Sequence, residues 1–361
     1  MRRFLETLLL GSVTTWALAC AAFASDYYAG KRLTVIINFA AGGPADIEGR
    51  VVAKHLVKHI AGQPGLVTQN MDGAGGLLGT NYIGEVAPKD GTVLGLLSGA
   101  AWQAVGDTKG RKVDFKSYEF VATFPGTTVY FMRTDVKPGM KNPVDLGNAE
   151  GIVSGGLGAD GSKDILLRLT LDILGHKYKY VTGYRGSAAA RLALAQGEIN
   201  YYAESPPSYR SVVEPGMVAK GEAIGLFYDL DFDGGPYTVP KAVRGLDMLP
   251  YPELYKRIRG SYPSGEYWDA YRAVVSLNHA LQRLAVLPPG TPQAAIDAVR
   301  AAFAKLADDK ELAEECNKTF GYVPDIATGA DINERVRARL TTTPQMKAYI
   351  ARYIEAGAKL K

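Results

Sequence analysis

Two adjacent glycines near the start of the chain could form a binding site for an anion. Gly42 and Gly43 follow an apolar run at residues 33–37, and Pro44 suits the first position of a helix. The glycines leave backbone N–H groups uncovered, and the first N–H groups of a helix have no partner within it. A carboxylate could bind here, although the same residues also fit a tight turn that binds nothing. Asp46 falls in the first helical turn, where we expect it to be structural.

A second glycine-rich stretch, residues 155–161, lies between a predicted strand at 152–154 and a predicted helix at 163–174. It matches the G-x-G-x-x-G pattern of dinucleotide-binding proteins, which also requires an acidic residue about 20 positions further on. Residues 178–185 contain no acidic side chain, so a nicotinamide-dependent enzyme is the weaker alternative. The stretch could instead present hydrogen-bond donors to an anion from Ser154, Gly158 and Ser162.

Two other groups of polar residues are spaced like metal ligands but are incomplete. His55 and His59 are four residues apart, but no third ligand is evident, so we interpret them as a solvated helix face. Asp229, Asp231 and Asp233 alternate as in a calcium loop but lack its later glutamate, and we interpret them as turn formers. We therefore expect no metal and no other cofactor. No nucleophile–base motif is present, so we expect no enzymatic activity.

The composition is typical of a soluble globular protein with room for two domains. The chain has 361 residues, of which 47% are hydrophobic and 22% charged, and its net charge is +4. It contains no long basic run, so nucleic-acid binding has no support.

The N-terminus has the pattern of an export signal. Arg2 and Arg3 precede a mostly apolar stretch at residues 8–22, and residues 22–24 form a small-x-small cleavage site. We predict a signal peptide over residues 1–24, which places the mature protein in the periplasm.

The two cysteines leave one alternative for processing. Cys20 could be the lipidated residue of a lipoprotein signal, although the residues before it match such a signal poorly. If Cys20 is removed, only Cys316 remains, so no internal disulfide can form. Cys316 lies in a helical pattern, where we expect a packed thiol.

The elements around the glycine stretches form two similar units. Each reads as βαβαβ, which implies a parallel sheet that binds ligands beyond the carboxyl ends of its strands. In the first unit Ser98 ends a strand at the same edge as Gly42. We predict an α/β clamshell of two lobes, each a mainly parallel sheet flanked by helices, joined by two extended crossings. The predicted boundaries are residues 25–124 with 229–361 for lobe 1, and residues 125–228 for lobe 2.

Five motifs resemble those of the Bug (TctC-type) solute receptors, which are periplasmic binding proteins of tripartite tricarboxylate transporters. They keep the order of that family and span most of the chain after the signal. Arg185 replaces the lysine of the family motif, and residues 229–279 are longer and more aromatic than is typical. The motifs are Phe-Ala-Ala-Gly-Gly-Pro-Ala-Asp at 39–46, the glycine loop at 70–79, Ala-Pro-Lys-Asp-Gly-Thr at 87–92, Tyr-Arg-Gly-Ser at 184–187 and Leu-Pro-Pro-Gly-Thr-Pro at 287–292.

The resemblance implies a monomeric receptor that captures a small organic acid, a mono- or dicarboxylate, between its lobes. It implies delivery to the membrane permease subunits of a tripartite transporter, while a receptor that signals to a membrane partner is the alternative. Family members hold carboxylates largely through backbone groups, hydroxyls and water. Glu204 stands where they often have an aspartate, and it could reject or orient a second polar group. The expected contacts are Ala40, Ala41, Gly42, Gly43 and Ser98 in lobe 1, and Ser154, Gly158, Ser162, Tyr184, Gly186, Ser187, Ala188 and Glu204 in lobe 2.

Overall fold

The structure is a computed structural model that describes residues 27–106, 109–232 and 234–360. The predicted signal peptide, Cys20 and Asp233 lie outside the described residues. Within those ranges the chain forms two β-sheets flanked by helices.

The described strands alternate with helices along most of the chain. The strands are β1 Arg32–Ile37, β2 Gly65–Asn70, β3 Val93–Ser98, β4 Glu119–Phe124, β5 Val129–Arg133, β6 Ile152–Gly156, β7 Tyr178–Thr182, β8 Tyr201–Glu204, β9 Ala223–Tyr228, β10 Leu249–Pro250 and β11 Arg283–Leu287.

The α-helices differ widely in length. They are α1 Pro44–His59, α2 Leu77–Glu85, α3 Ala100–Val105, α4 Ser162–Leu174, α5 Ser187–Ala195, α6 Pro206–Ser208, α7 Tyr251–Arg259, α8 Glu266–Leu281, α9 Gln293–Leu306, α10 Lys310–Phe320, α11 Ile332–Arg339 and α12 Pro344–Gly357. A π-helix, Tyr209–Val218, continues α6, and short 3₁₀ helices cover Ala74–Gly76, Phe115–Ser117, Pro143–Asn148 and Lys241–Val243.

The first sheet has the strand order β2-β1-β3-β11-β4. Strands β1, β2 and β3 run parallel, whereas β11 is antiparallel to both of its neighbours. Apolar side chains of β1 such as Val35 and Ile37 are fully buried, as expected for a strand covered on both sides. One core lies under α1, α9 and α10, and another under α2, α3 and α11.

The second sheet has the strand order β10-β9-β5-β8-β6-β7. Strand β6 is parallel to β7 and β8, and β5 is antiparallel to β8 and β9. Its core contains buried residues of α4, α5, α7 and α8. The predicted two-lobed α/β fold is therefore present, although the sheets, which were expected to be mainly parallel, are both mixed.

The chain returns to the first sheet later than the sequence suggested. Residues 229–281 were predicted to belong to lobe 1, but β10 pairs with β9 in the second sheet. Tyr251 and Tyr271 are buried in the second core, and the ring of Tyr251 lies 4.8 Å from that of Phe227. These aromatic side chains fill the space beneath the second sheet. The return therefore runs along the helix α8 into β11.

The end of the chain also crosses between the lobes. The last part of the chain forms two helices rather than one continuous helix, because Pro344 starts α12 with Thr343 as its N-cap. Helix α11 packs on the first sheet, while Ile350 of α12 is buried in the second core. Among the described helices, none is both long enough and apolar enough to span a membrane.

Candidate functional site

A cleft of about 1020 Å³, a volume that includes its open mouth, lies between the two sheets. It sits beyond the carboxyl ends of β1 and β3 on one side and of β6 and β7 on the other, where ligands of parallel sheets bind. We call this space the cleft. It is lined by Phe39, Ala40, Gly43, Pro44, Ala45, Ala74, Gly75, Ser98, Gly99, Trp102, Gln103, Thr128, Leu157, Gly158, Asp160, Gly161, Ser162, Lys163, Asp164, Gly186, Ser187, Ser205, Asn278 and Gln282.

Three long helices start at the cleft with a glycine as N-cap. These glycines are Gly43 for α1, Gly161 for α4 and Gly186 for α5, and within the described residues no side chain caps any of the three. The positive ends of the helices and their first N–H groups thus meet at one place. This arrangement favours a negatively charged ligand.

Asp46 is not one of the residues that line the cleft. Its Oδ2 accepts a hydrogen bond from Gly42 N at 3.0 Å, and its Oδ1 accepts from Arg50 Nε at 2.7 Å and Asn70 Nδ2 at 2.9 Å. The carboxylate therefore holds the glycine turn in place, which is the structural role expected of it.

Lys163, in the first turn of α4, brings a positive charge to the cleft. Its Nζ lies 2.7 Å from Tyr202 Oη, 3.3 Å from Ser187 Oγ and 4.4 Å from the centre of the Tyr202 ring. Burial acts to lower the pKa of Lys163, but Tyr202 and Glu204 more than offset it, so the pKa is raised and the side chain stays cationic. This residue was missed from the sequence because its contacts depend on how α4 packs beside Ser187 and Tyr202.

Asp164 shapes the glycine loop that precedes α4. Its Oδ1 accepts hydrogen bonds from Tyr180 Oη at 2.5 Å and from Gly158 N at 3.2 Å, and burial raises its pKa to about 6. A Cβ on Gly156 would lie 1.8 Å from Asp164 Oδ1. Only glycine therefore fits at that position, so the first glycine of the G-x-G-x-x-G pattern has a structural cause.

Three polar contacts join the two lobes across the cleft. Trp102 Nε1 donates to Asp160 O at 2.7 Å, and Arg191 Nη2 donates to Gly42 O at 2.9 Å. Arg185 Nε lies 3.2 Å from Asp72 Oδ2, and the Arg185 side chain is 87% exposed. The two lobes are therefore in direct contact across the cleft.

Of the contacts expected from the sequence, seven line the cleft: Ala40, Gly43, Ser98, Gly158, Ser162, Gly186 and Ser187. Their role toward a ligand stays a prediction. The remaining six, Ala41, Gly42, Ser154, Tyr184, Ala188 and Glu204, are not among the lining residues.

The structure gives physical reasons for four of these differences. Ser154 is fully buried within β6, and Tyr184 Oη donates instead to Glu198 Oε1 at 2.7 Å. Glu204 is fully buried and accepts from Arg191 Nη1 at 2.7 Å. The carbonyl oxygen of Gly42 accepts a hydrogen bond from the same arginine. A buried carboxylate is found where a partner offsets its charge, and here that partner is Arg191.

The two histidines of α1 face acidic residues of α10 rather than solvent. His55 is buried, and its Nε2 lies 2.8 Å from Glu315 Oε2, while His59 Nε2 lies 2.7 Å from Asp309 Oδ2. The interpretation as a solvated face is wrong for His55. No group of three or more possible metal ligands occurs in the part of the chain that the structure describes.

Comparisons with known proteins place the chain near the Bug receptors. No family model matches the chain. A UPF0065 protein of the TAR-I ttuE-ttuC' intergenic region of Agrobacterium vitis is 32% identical over 207 residues, which cover 55% of this chain and 56% of that protein. BugT of Bordetella pertussis is 34% identical over 111 residues, 31% of this chain and 33% of that protein. The chain thus spans about half or less of the length of these relatives.

Solved structures agree with this chain over almost their full length. The periplasmic binding protein BugD has a TM-score of 0.66 at 18% identity, covering 90% of this chain and 98% of its own. An R. palustris protein solved with adipate has a TM-score of 0.67 at 17% identity, with coverage of 90% and 98%. MatC from Rhodopseudomonas palustris, solved with bound malate, has a TM-score of 0.61 at 18% identity, with coverage of 91% and 99%. The predicted resemblance to Bug-type receptors and the two-lobed fold are thereby confirmed.

Proposed function

We propose that the protein is a periplasmic receptor that binds a small organic acid between its two lobes. The observation that carries the proposal is the meeting of three glycine-capped helix starts and the Lys163 ammonium at one cleft. Backbone N–H groups, helix dipoles and a cation all stabilise a carboxylate.

The rest of the cleft suits the carbon skeleton of such an acid. Phe39, Trp102 and Leu157 supply apolar surface, while Gln103 and Gln282 supply neutral polar groups. Fold neighbours of this chain were solved with adipate and with malate, which supports small carboxylic acids as the ligand class.

Binding and closure are coupled in this proposal. The helix start of α1 belongs to one lobe and those of α4 and α5 to the other, so an acid that contacts all three favours the closed state. The closed receptor then delivers the acid to a membrane permease of the tripartite type. The predicted signal peptide supports export to the periplasm, and binding without a chemical step accounts for the cleft as described.

The proposal is tested by thermal unfolding of the mature protein with succinate, malate, adipate or benzoate, and with glucose or magnesium chloride as controls. A ligand at a hundredfold excess over its dissociation constant stabilises the native state by about 2.7 kcal/mol, so at least one acid should raise the melting temperature. A shift with glucose or magnesium and none with any acid would contradict the proposal.

A further inference from the structure

The cleft contains an ammonium group, that of Lys163, which no carboxylate of the described residues contacts directly, although Glu204 and Asp164 lie near enough to favour its charge. Among the described residues, no carboxylate oxygen lies within 4 Å of Lys163 Nζ, and no other lysine or arginine lines the cleft. Arg191 is occupied by Glu204, Ser208 and the Gly42 carbonyl, and Arg185 faces solvent beside Asp72.

We infer that Lys163 determines specificity by pairing with one carboxylate of the ligand, so that the site selects an acid over its neutral amide. The inference rests on the proposed function and adds to it the residue that recognises the charge of the ligand. An ammonium has three donors, and Tyr202 and Ser187 use two of them. The third donor is left for a group in the cleft.

The physical argument is one of charge balance. A partly buried ammonium with no carboxylate in direct contact is less well stabilised than a paired one, and a ligand carboxylate provides both a contacting counter-charge and a charge-assisted hydrogen bond. The rigid contacts to Tyr202 and Ser187 hold the ammonium beside the start of α5. A neutral amide at the same place offers a weaker acceptor and leaves the ammonium without a contacting anion.

The side of the cleft opposite Lys163 differs in its charge. Ser98, Gln103, Asn278 and Gln282 are neutral, and the described lining residues there include no cation. The charge requirement should therefore apply to one end of the ligand, while the other end is recognised by neutral donors and acceptors.

The test compares Lys163→Gln with Lys179→Gln, a matched control that removes the same charge from an exposed position on β7 of the same lobe. Calorimetric titrations use succinate, malate, adipate and benzoate together with their primary amides. We expect the wild type to prefer the best-bound acid over its amide by tenfold or more. In Lys163→Gln the affinity for the acid should fall about ten- to a hundredfold and that for the amide less than threefold, which removes the preference. Lys179→Gln should bind as the wild type does.

Each outcome is decisive. If Lys163→Gln keeps the acid preference, or if acid and amide lose affinity equally, Lys163 is only structural and the inference fails, while the proposed function stands. If the wild type binds none of the acids, both fail. Circular dichroism checks folding, and Lys163→Met, which keeps the apolar stem, replaces the glutamine variant if that one does not fold.

Discussion

Asp229 is an acid held in apolar surroundings at the end of β9. Its Oδ1 accepts from Tyr271 Oη at 2.8 Å and its Oδ2 from Tyr130 Oη at 3.1 Å, and the residue is 3% exposed. Burial raises its pKa to about 7, although these hydrogen bonds act to lower it. The sequence analysis interpreted Asp229 as a turn former, which is wrong, because the pattern of alternating acids does not reveal which one enters the core.

This raised pKa predicts a specific pH dependence of stability. Between an unfolded pKa of 3.8 and a native pKa of about 7, the native state binds more protons, so this contribution to stability falls as pH rises through that window. Asp229→Asn lacks the titrating group. Relative to the wild type, its free energy of unfolding should therefore rise by a few kcal/mol between pH 4 and pH 8, at about 1.4 kcal/mol for each pKa unit.

Urea denaturation of both proteins at several pH values measures the difference. A difference that does not change with pH would show that Asp229 is already ionised in the native protein, and the predicted window would then be wrong.

At the scale of single residues, the sequence predicted the glycines of the site better than its side chains. Gly43, Gly158 and Gly186 were found because glycine turns before helices are local patterns. Lys163 was missed because its contacts depend on how α4 packs against α5 and β8, and Trp102 because its contact depends on how α3 sits against the other lobe. An arginine within the apolar run of α5, Arg191, was the available signal for a buried charge pair with Glu204.

At the scale of elements, the start of α5 comes very close to the glycine turn of the other lobe. A Cβ on Gly186 would lie 3.1 Å from the Ala40 Cβ, whereas Gly186 itself has an extended backbone that other residues adopt. The size of the side chain, not its conformation, is thus the constraint at this position.

Gly186→Val should therefore hinder closure without unfolding the protein. Affinity for every acid that binds should fall about ten- to a hundredfold, as expected when charge-assisted contacts of 1.5–3 kcal/mol are lost. Gly216→Val, where a new Cβ meets no heavy atom within 4 Å, is the matched control. Calorimetry measures the affinities, and melting without ligand checks stability. Wild-type affinity in Gly186→Val would show that the lobes need not approach this closely.

The helices and strands with a regular apolar spacing were largely predictable, whereas the elements against which they pack were not. The apolar spacing of α1, α4 and α9 and the β-branched run of β1 are present in the sequence, and the structure has these elements. The assignment of α7 and α8 to the first lobe was wrong. An aromatic helix face predicts that the helix packs on a sheet, but it does not identify which sheet. The start of α12 also has a local signal, because Thr343 and Pro344 together are typical of a helix start.

At the scale of the whole molecule, the last helix, α12, packs against the second lobe, although α11 just before it packs on the first sheet. Ile350 is buried in the second core, and the Tyr353 carbonyl accepts from Arg168 Nη1 at 3.2 Å. Arg168 also donates to Ala159 O at 2.7 Å, in the glycine loop of the cleft. The helix α12 is thereby connected to this glycine loop through the buried guanidinium of Arg168.

A chain that ends at residue 340 should therefore loosen the second lobe. We expect faster hydrogen exchange in α4 and in residues 157–161 and a lower melting temperature, because apolar surface of the second core becomes exposed. A chain that ends at residue 358 keeps α12 and is the control. Exchange followed by mass spectrometry locates the effect. Faster exchange confined to α9 and α10 would contradict the packing of α12 described above.

The place of β11 within the first sheet implies an order of assembly during synthesis. All strands of the second sheet come from residues 129–250, so that sheet has its full set of strands before β11 emerges. The first sheet begins at residue 32 but has a gap between β3 and β4 until residue 287 is made. The sheet that starts first is thus the one that is completed last, and a nascent chain shorter than this exposes two unpaired strand edges where β11 later inserts.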